Sequence, residues 1–250
     1  MIKKELINQF GLVGKNIDYS FSREYFTSKF KNEKKVDYRY INYDITSIDK
    51  FKEVITRKPI PVGLNVTTPY KKEVISYLDK LSTEANAIQA VNTIVFDQNK
   101  KLIGYNTDYI GFEKSLFESA DKRSKKAIIL GTGGASSAVK FVLDKMGCKF
   151  KFVSRNPKEN QLAYDKITKE YLDEIDLIVN TTPLGTYPGV NNAPPIPYQY
   201  INSRHFLFDL IYNPSETRFL KEGRQRGAKT TNGYKMLVYQ AEESWKLWNH

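Results

Sequence analysis

Apolar residues fall in two textures along this chain. From about residue 127 onward, short apolar runs recur at Ala127 to Leu130, Phe150 to Val153, Leu177 to Val179 and Phe206 to Ile211, with enough chain between them for helical crossovers. Runs spaced in this way predict buried parallel strands in a doubly wound α/β arrangement. After the first run, Val139, Phe141, Val142, Leu143 and Met146 keep helical spacing, so the segment reads as strand, turn and helix. The first hundred residues carry shorter candidate strands at Phe10 to Gly14, Tyr38 to Tyr43 and Pro61 to Asn65, with helices expected over Arg23 to Phe30 and Ile48 to Thr56. That half is expected to form a separate α/β domain. Met236, Leu237, Gln240, Ser244, Leu247 and Trp248 predict a closing helix within Gly233 to Asn249 that packs back on the first domain. The division read from these patterns is 1–105, 106–232 and 233–250. A cleft between the two domains is the expected ligand site.

The turn after the first strand of the second half is Gly131-Thr132-Gly133-Gly134-Ala135-Ser136-Ser137-Ala138. Glycine lets backbone approach a pyrophosphate closely, and free amides at a helix start supply partial positive charge for it. Ser136 stands where the last glycine of the usual GxGxxG pattern would be, so the motif alone is weak and an ordinary tight turn competes with it. The next strand leads into Ser154-Arg155-Asn156. Arginine there favours NADP over NAD, because a guanidinium holds a 2′-phosphate in a forked pair of hydrogen bonds where an acidic side chain would repel it. A solvated arginine at a strand end is the alternative.

Two polar clusters face this half from upstream. Asn65-Val66-Thr67-Thr68-Pro69-Tyr70-Lys71 is followed by Asn106-Thr107-Asp108, at a distance that suits two walls of one cleft. A ketone under reduction needs a proton donor for its oxygen, and an amine beside a carboxylate supplies and recovers that proton. Histidine is the usual choice for such work, but here the histidines are His205, inside an apolar run, and His250, the last residue. The candidates are therefore Lys71 and Asp108.

Composition narrows the setting. At 250 residues with 40% apolar content, the chain can bury a substantial core, and no apolar run approaches the length of about eighteen residues that a membrane span needs. No leader pattern opens the chain, since Met1 to Glu5 run directly into the first predicted strand. A cytoplasmic location is expected. The single cysteine, Cys148, excludes an internal disulfide and a cysteine-rich metal site. The net charge of +11 admits a nucleic-acid partner, but the lysines are interspersed with acids. The densest basic run, Lys122-Arg123-Ser124-Lys125-Lys126, reads as a solvated linker. The same surplus charge suits an anionic small-molecule substrate and a phosphorylated cofactor.

Taken together, the chain resembles the shikimate dehydrogenase family. The blocks that carry the resemblance span nearly the whole sequence: Gly14 with Ser20-Phe21-Ser22, Asn65 to Lys71, Ala90-Val91-Asn92-Thr93, Gly104 to Asp108, the Gly131 turn, Asn180 to Gly185, Asp209 to Pro214, and Met236 to Gln240. The resemblance implies reduction of 3-dehydroshikimate to shikimate with NADPH, on the route to chorismate and the aromatic amino acids. It implies an N-terminal substrate-binding domain followed by an NADP-binding one. Ser20 and Ser22 would hold the substrate carboxylate, with helix capping by Ser22 as a compatible alternative. Thr67, Asn92, Asp108 and Gln240 would hold ring hydroxyls, Asn65 and Tyr212 would line the same pocket, and Lys71 with Asp108 would be the catalytic pair. A turn asparagine at Asn92 and a solvated Gln240 are the competing readings. Gly131, Gly133, Gly134 and Ala135 would take the pyrophosphate, Ser154, Arg155 and Asn156 the adenosine phosphate, and Gly233 the nicotinamide end, with Leu210 also binding the cofactor.

Two departures from the family pattern stand out. Glu159, beside Lys158, occupies the position where many members carry a second basic residue, and Lys235 stands where glycine commonly precedes the Met-Leu block. No metal is implied. The resemblance allows a monomer or a homodimer. A relative that also oxidises quinate, a ligand-binding regulator without catalysis, and a nucleic-acid binder are the competing functions. Ser20 and Ser22 favour shikimate over quinate, and an intact Lys71 and Asp108 count against a regulator.

Overall fold

The computed structural model describes residues 8–18, 20–119 and 124–249. The opening residues, Lys122 and Arg123 of the basic run, and His250 lie outside the described residues. The chain divides into two compact units, residues 1–107 with 241–250, and residues 108–240.

The first unit is built on a six-stranded mixed sheet. Its strands are β1 (Asn8–Gly14), β2 (Tyr38–Asp44), β3 (Gly63–Val66), β4 (Lys80–Leu81), β5 (Thr93–Phe96) and β6 (Leu102–Tyr105), ordered β2-β1-β3-β5-β6-β4. Helices α1 (Phe21–Asn32), α2 (Phe51–Thr56) and α3 (Thr83–Ile88) accompany it. The period of two along β1 is visible in what each face buries. Phe10 and Leu12 join Phe26, Phe30, Tyr40 and Trp248 on one side, while Val13 joins Tyr43, Phe51, Leu64 and Ile94 on the other. Burial on both faces explains why β1 reads as an apolar run rather than an alternating one.

The second unit contains α4 (Asp108–Ser119), β7 (Lys126–Leu130), α5 (Gly134–Lys145), β8 (Lys149–Ser154), β9 (Leu162–Ala163), α6 (Lys169–Leu172), β10 (Leu177–Asn180), β11 (Phe206–Asp209), α7 (Arg218–Gln225) and β12 (Lys229–Thr231). Its six-stranded sheet, ordered β12-β11-β10-β7-β8-β9, has parallel pairing throughout. Ala127, Ile129, Leu177, Val179 and Phe208 pack beneath α4 and α5. Ile128, Leu130, Ile178 and Leu207 pack with Leu172, Phe219 and Leu220 on the opposite face. Strand order reverses between β7 and β10, and in such sheets the carboxyl ends at the reversal are where ligands bind. The last helix, α8 (Tyr234–Trp248), starts in the second unit and finishes in the first.

Several expected elements are adjusted. The strand expected over Phe206 to Ile211 stops at Asp209, because the Asp209 carboxylate accepts the Ile211 amide at 3.0 Å and turns the chain. The helix expected over Ile48 to Thr56 is a 3₁₀ turn at Ile48–Lys50 followed by α2. Ser22 does not cap α1. The helix starts two residues earlier, at Phe21, and Ser20 is its cap, its Oγ accepting the Arg23 amide at 3.4 Å. The β5–β6 pair has no counterpart among the expected elements. It is antiparallel, joined by a turn in which Asp97 Oδ1 accepts the amides of Asn99 and Lys101, both at 2.8 Å. Among the described residues, no helix is long and apolar enough to cross a membrane, and no cluster of side chains is arranged to hold a metal ion.

Candidate active site

In the first unit, the polar residues singled out from sequence converge at the ends of β3 and β5. The Thr67 amide donates to the Val13 carbonyl at 2.9 Å, and the Tyr70 amide to the Thr67 carbonyl at 2.9 Å. The Tyr70 ring is buried and its hydroxyl donates to the Ile45 carbonyl at 2.7 Å. The loop that carries Thr67 and Lys71 is thus pinned from both sides. The Lys71 carbonyl accepts the Val91 amide at 2.8 Å, which fixes its backbone next to Asn92.

Asn92 is not a turn residue. It is buried, its Oδ1 accepts the Thr107 amide at 2.6 Å, and its Nδ2 reaches Thr107 Oγ1 at 2.9 Å. Asn106 is buried as well and donates to the Ala90 carbonyl at 2.9 Å. These bonds hold the chain up to Thr107 in the first unit, which accounts for a division after residue 107 where the pattern of apolar runs placed it after 105. Asn65 is buried, linked to Tyr40, Asn92, Thr93 and Ser244.

Within the second unit, Asp108 opens α4 and is 6% exposed, while Gln240, on α8, is 8% exposed. A Cβ on Gly111 would overlap the Met236 carbonyl oxygen and crowd Gln240, so the glycine permits the close helix approach that brings the Gln240 backbone within a turn of Asp108. Gln240 is therefore not a solvated helix position. Lys235, the departure in this helix, pairs with Glu118 of α4 at 2.9 Å, and the Tyr239 hydroxyl donates to the same carboxylate. That exposed pair ties α8 to α4 and gives the lysine a structural role.

The glycine turn lies at the strand-order reversal. Gly131 has φ +106°, in the region that favours glycine, and its amide donates to the Val153 carbonyl at 2.9 Å. Gly133 is the N-cap of α5, and a Cβ there would meet nothing within 4 Å. Its missing side chain is thus not required by protein packing and leaves the helix start open. Ser136, in the place of the third glycine, is buried and donates to the Gly133 carbonyl at 2.6 Å, closing the turn by a side-chain bond. Arg155 and Asn156 are exposed just past β8, with Ser154 Oγ accepting the Asn156 amide at 3.2 Å. Gly233 sits against the backbone of Leu210, where a Cβ would overlap the Leu210 carbonyl, so these two proposed cofactor residues are adjacent. Tyr212 is half-buried in the loop that follows.

Sequence reasoning missed the buried network behind this loop. Asp209 is fully buried at the end of β11, accepting from Thr217 Oγ1 at 2.6 Å, Asn180 Nδ2 at 3.0 Å and the Ile211 amide. Asn180 Oδ1 in turn accepts the Thr182 amide and hydroxyl at 3.0 and 2.7 Å. One carboxylate thereby joins both loops at the carboxyl edge of the sheet. Burial raises its pKa to about 7, with the three donors pulling the other way. A group whose folded-state pKa is raised takes up a proton on folding between its two values. Stability is therefore expected to fall as pH rises from about 4 to about 7, by up to about 1.4 kcal/mol per pH unit from this group. Urea unfolding of the parent and Asp209→Asn across that range checks it. The stability difference between them should change with pH, and a constant difference would contradict it.

His205 and Cys148 are structural. His205 is buried, accepting the Asn202 amide on Nδ1 at 3.1 Å, with Nε2 at 3.1 Å from the Leu172 carbonyl. Burial pushes the Cys148 thiol up to about 11, which keeps it protonated.

Comparison with known proteins gives one family. The profile described as the shikimate dehydrogenase substrate binding domain matches residues 12–94. A shikimate dehydrogenase (NADP(+)) of Methanococcus maripaludis is 40% identical over 256 residues, covering 95% of this chain and 90% of that protein. The crystal structure of shikimate dehydrogenase 1 from Peptoclostridium difficile is 39% identical, with a TM-score of 0.84 over 97% of this chain and 92% of that one. A shikimate 5-dehydrogenase of Thermus thermophilus, solved in complex with NADP(H) and shikimate, is 29% identical, with a TM-score of 0.83 over 97% and 93% of the two chains.

Proposed function

We infer, from a chain that belongs to the shikimate dehydrogenase family, that this protein interconverts 3-dehydroshikimate and shikimate with NADP as its cofactor. The observation that carries the reading is the buried clamp of Asn92 on Thr107, which fixes the backbone leading directly into Asp108 and lies beside the backbone of Lys71.

The second unit's residues fit the cofactor. Gly133 leaves the start of a twelve-residue helix open, and its amides and dipole suit the pyrophosphate there. Gly131, Gly134 and Ala135 complete that turn. Arg155 presents an exposed guanidinium for the 2′-phosphate, with Ser154 and Asn156 beside it, and Leu210 with Gly233 would bound the nicotinamide end. When bound, NADPH supplies the hydride. The chain's part is to hold the substrate and move one proton. Ser20 and Ser22 take the carboxylate, while Thr67, Asn92, Asp108, Tyr212 and Gln240 orient the ring. In the reduction, the Lys71 ammonium delivers its proton to the ketone oxygen as negative charge develops there, and Asp108 favours the charged lysine that results when a proton is recovered. The reverse reaction returns the proton from the hydroxyl to Lys71.

The protein is proposed to act in the cytoplasm on a small-molecule substrate without a nucleic-acid partner, as a monomer or homodimer. Chromatography of a reaction with 3-dehydroshikimate and NADPH tests the activity. Shikimate formed in step with NADPH loss is expected, and NADPH that persists with 3-dehydroshikimate unchanged would refute it.

A further inference from the structure

Behind the proposed substrate residues of the first unit lies a set of buried side chains to which the mechanism gives no task. Asn65 is at its centre. The Asn92 carbonyl can only accept a hydrogen bond, and Asn65 Nδ2 lies 3.1 Å from it. The amide is therefore oriented with Oδ1 toward Tyr40, whose hydroxyl donates to it at 2.7 Å. The remaining donor capacity of Nδ2 is shared between Thr93 Oγ1 at 3.2 Å and Ser244 Oγ at 3.0 Å. With its own proton committed to Asn65, the Tyr40 hydroxyl has only lone pairs left to offer, and the Ser22 side chain opposes the upward push that burial gives the phenol. On the other side, Ser244 Oγ lies 2.7 Å from Thr93 Oγ1 and 3.2 Å from Thr107 Oγ1. Thr107 is the residue clamped by Asn92. Tyr40, Thr93, Thr107 and Ser244 are all buried.

We propose that Tyr40 and Ser244 are positioning residues for substrate binding, which lock Asn65 as a spacer between Ser22 at the carboxylate end and Asn92 at the ring-hydroxyl end. Asn65, expected from the resemblance to line the substrate pocket, has its polar atoms engaged within the protein, and on this proposal it acts through its neighbours. This rests on the functional reading above. Ser244 comes from α8, the fourth residue past the division at 240/241, so the closing helix contributes to the substrate side through a hydroxyl as well as through its apolar face.

Tyr40→Phe removes the donor to Asn65, and Ser244→Ala removes the hydroxyl shared by Asn65, Thr93 and Thr107. Each is expected to raise the KM for shikimate about tenfold while the KM for NADP stays within about twofold of the parent, the pattern of lost ground-state substrate positioning. A purely structural role would lower Tm and the active fraction and leave both KM values in place. Steady-state kinetics of both variants, with Tm recorded for each, decide the matter. Either variant keeping the parent's shikimate KM, or raising both KM values equally, overturns the proposal and leaves the activity standing. A parent that does not turn over shikimate overturns the functional reading and the proposal together.

Discussion

Replacing Lys71 by alanine is expected to lower kcat for shikimate oxidation by about 10²- to 10⁴-fold, the usual worth of a positioned proton donor or acceptor, with NADP binding changed by no more than about twofold. The structure gives reason to attribute such a loss to the ammonium rather than to a collapsed loop. The segment is held by backbone bonds from Thr67 to Val13, from Tyr70 to Thr67 and from Val91 to Lys71, and by the buried Tyr70 ring. None of these uses the lysine side chain. Cofactor affinity, read by quenching of protein fluorescence on NADPH addition, should survive because the glycine turn and Arg155 belong to the other unit. Lys71→Arg should also be slow, since a guanidinium keeps the charge but does not give up its proton. NADP reduction by Lys71→Ala at the parent's rate would remove Lys71 from the mechanism.

Arg155→Ala is expected to reduce kcat/KM for NADP by about 10- to 100-fold while changing the value for NAD by about twofold or less, as loss of charge-assisted bonds to a phosphate that only NADP carries. Arg155 is exposed immediately past β8, and the local backbone is shaped by Ser154, whose hydroxyl accepts the Asn156 amide, so truncating Arg155 leaves the turn in place. Glu159 adds no cation at the position where many relatives carry one, and Lys158 is the nearest replacement in sequence. On the proposed reading, the preference for NADP is expected to rest mainly on one guanidinium. Equal losses for both cofactors, measured as initial rates at varied cofactor, would show that Arg155 supports the turn rather than reading the phosphate.

The second unit was legible because its central strands β7, β10 and β11 are buried on both faces and so appear as unbroken apolar runs, each followed or closed by glycine or a polar residue. Alternate residues of Ala127 to Leu130 indeed enter opposite cores. The first unit was harder. Its β5–β6 pair reads Thr93-Ile94-Val95-Phe96, Asp97 to Lys101, Leu102-Ile103-Gly104-Tyr105, a hairpin pattern with Asp97 as turn former, but Asn92 and Asn106 at its ends match site motifs and mask the strand signal. The end of β11 was misplaced because Leu210 and Ile211 continue an apolar run, whereas the buried Asp209 carboxylate bends the chain ahead of them. Proposed ligand contacts were legible as motifs, since polar residues beside glycine and proline have a repertoire that sequence displays. Positioning residues were not. Tyr40 sits in a strand among other tyrosines, and the one signal for Ser244 was a polar residue on the buried stripe of α8, one turn after Gln240. Which buried hydroxyl meets which amide depends on sheet register, and no local pattern encodes that.

Arg155 and the substrate cluster are proposed to select NADP and shikimate together. Initial rates of absorbance change at the nicotinamide band, with shikimate or quinate as substrate and NADP or NAD as cofactor, test it most directly. Rapid reduction of NADP with shikimate and much slower turnover in the other three combinations are expected. Comparable rates with quinate or with NAD, or no shikimate-dependent reduction by a protein that binds NADP, would contradict it.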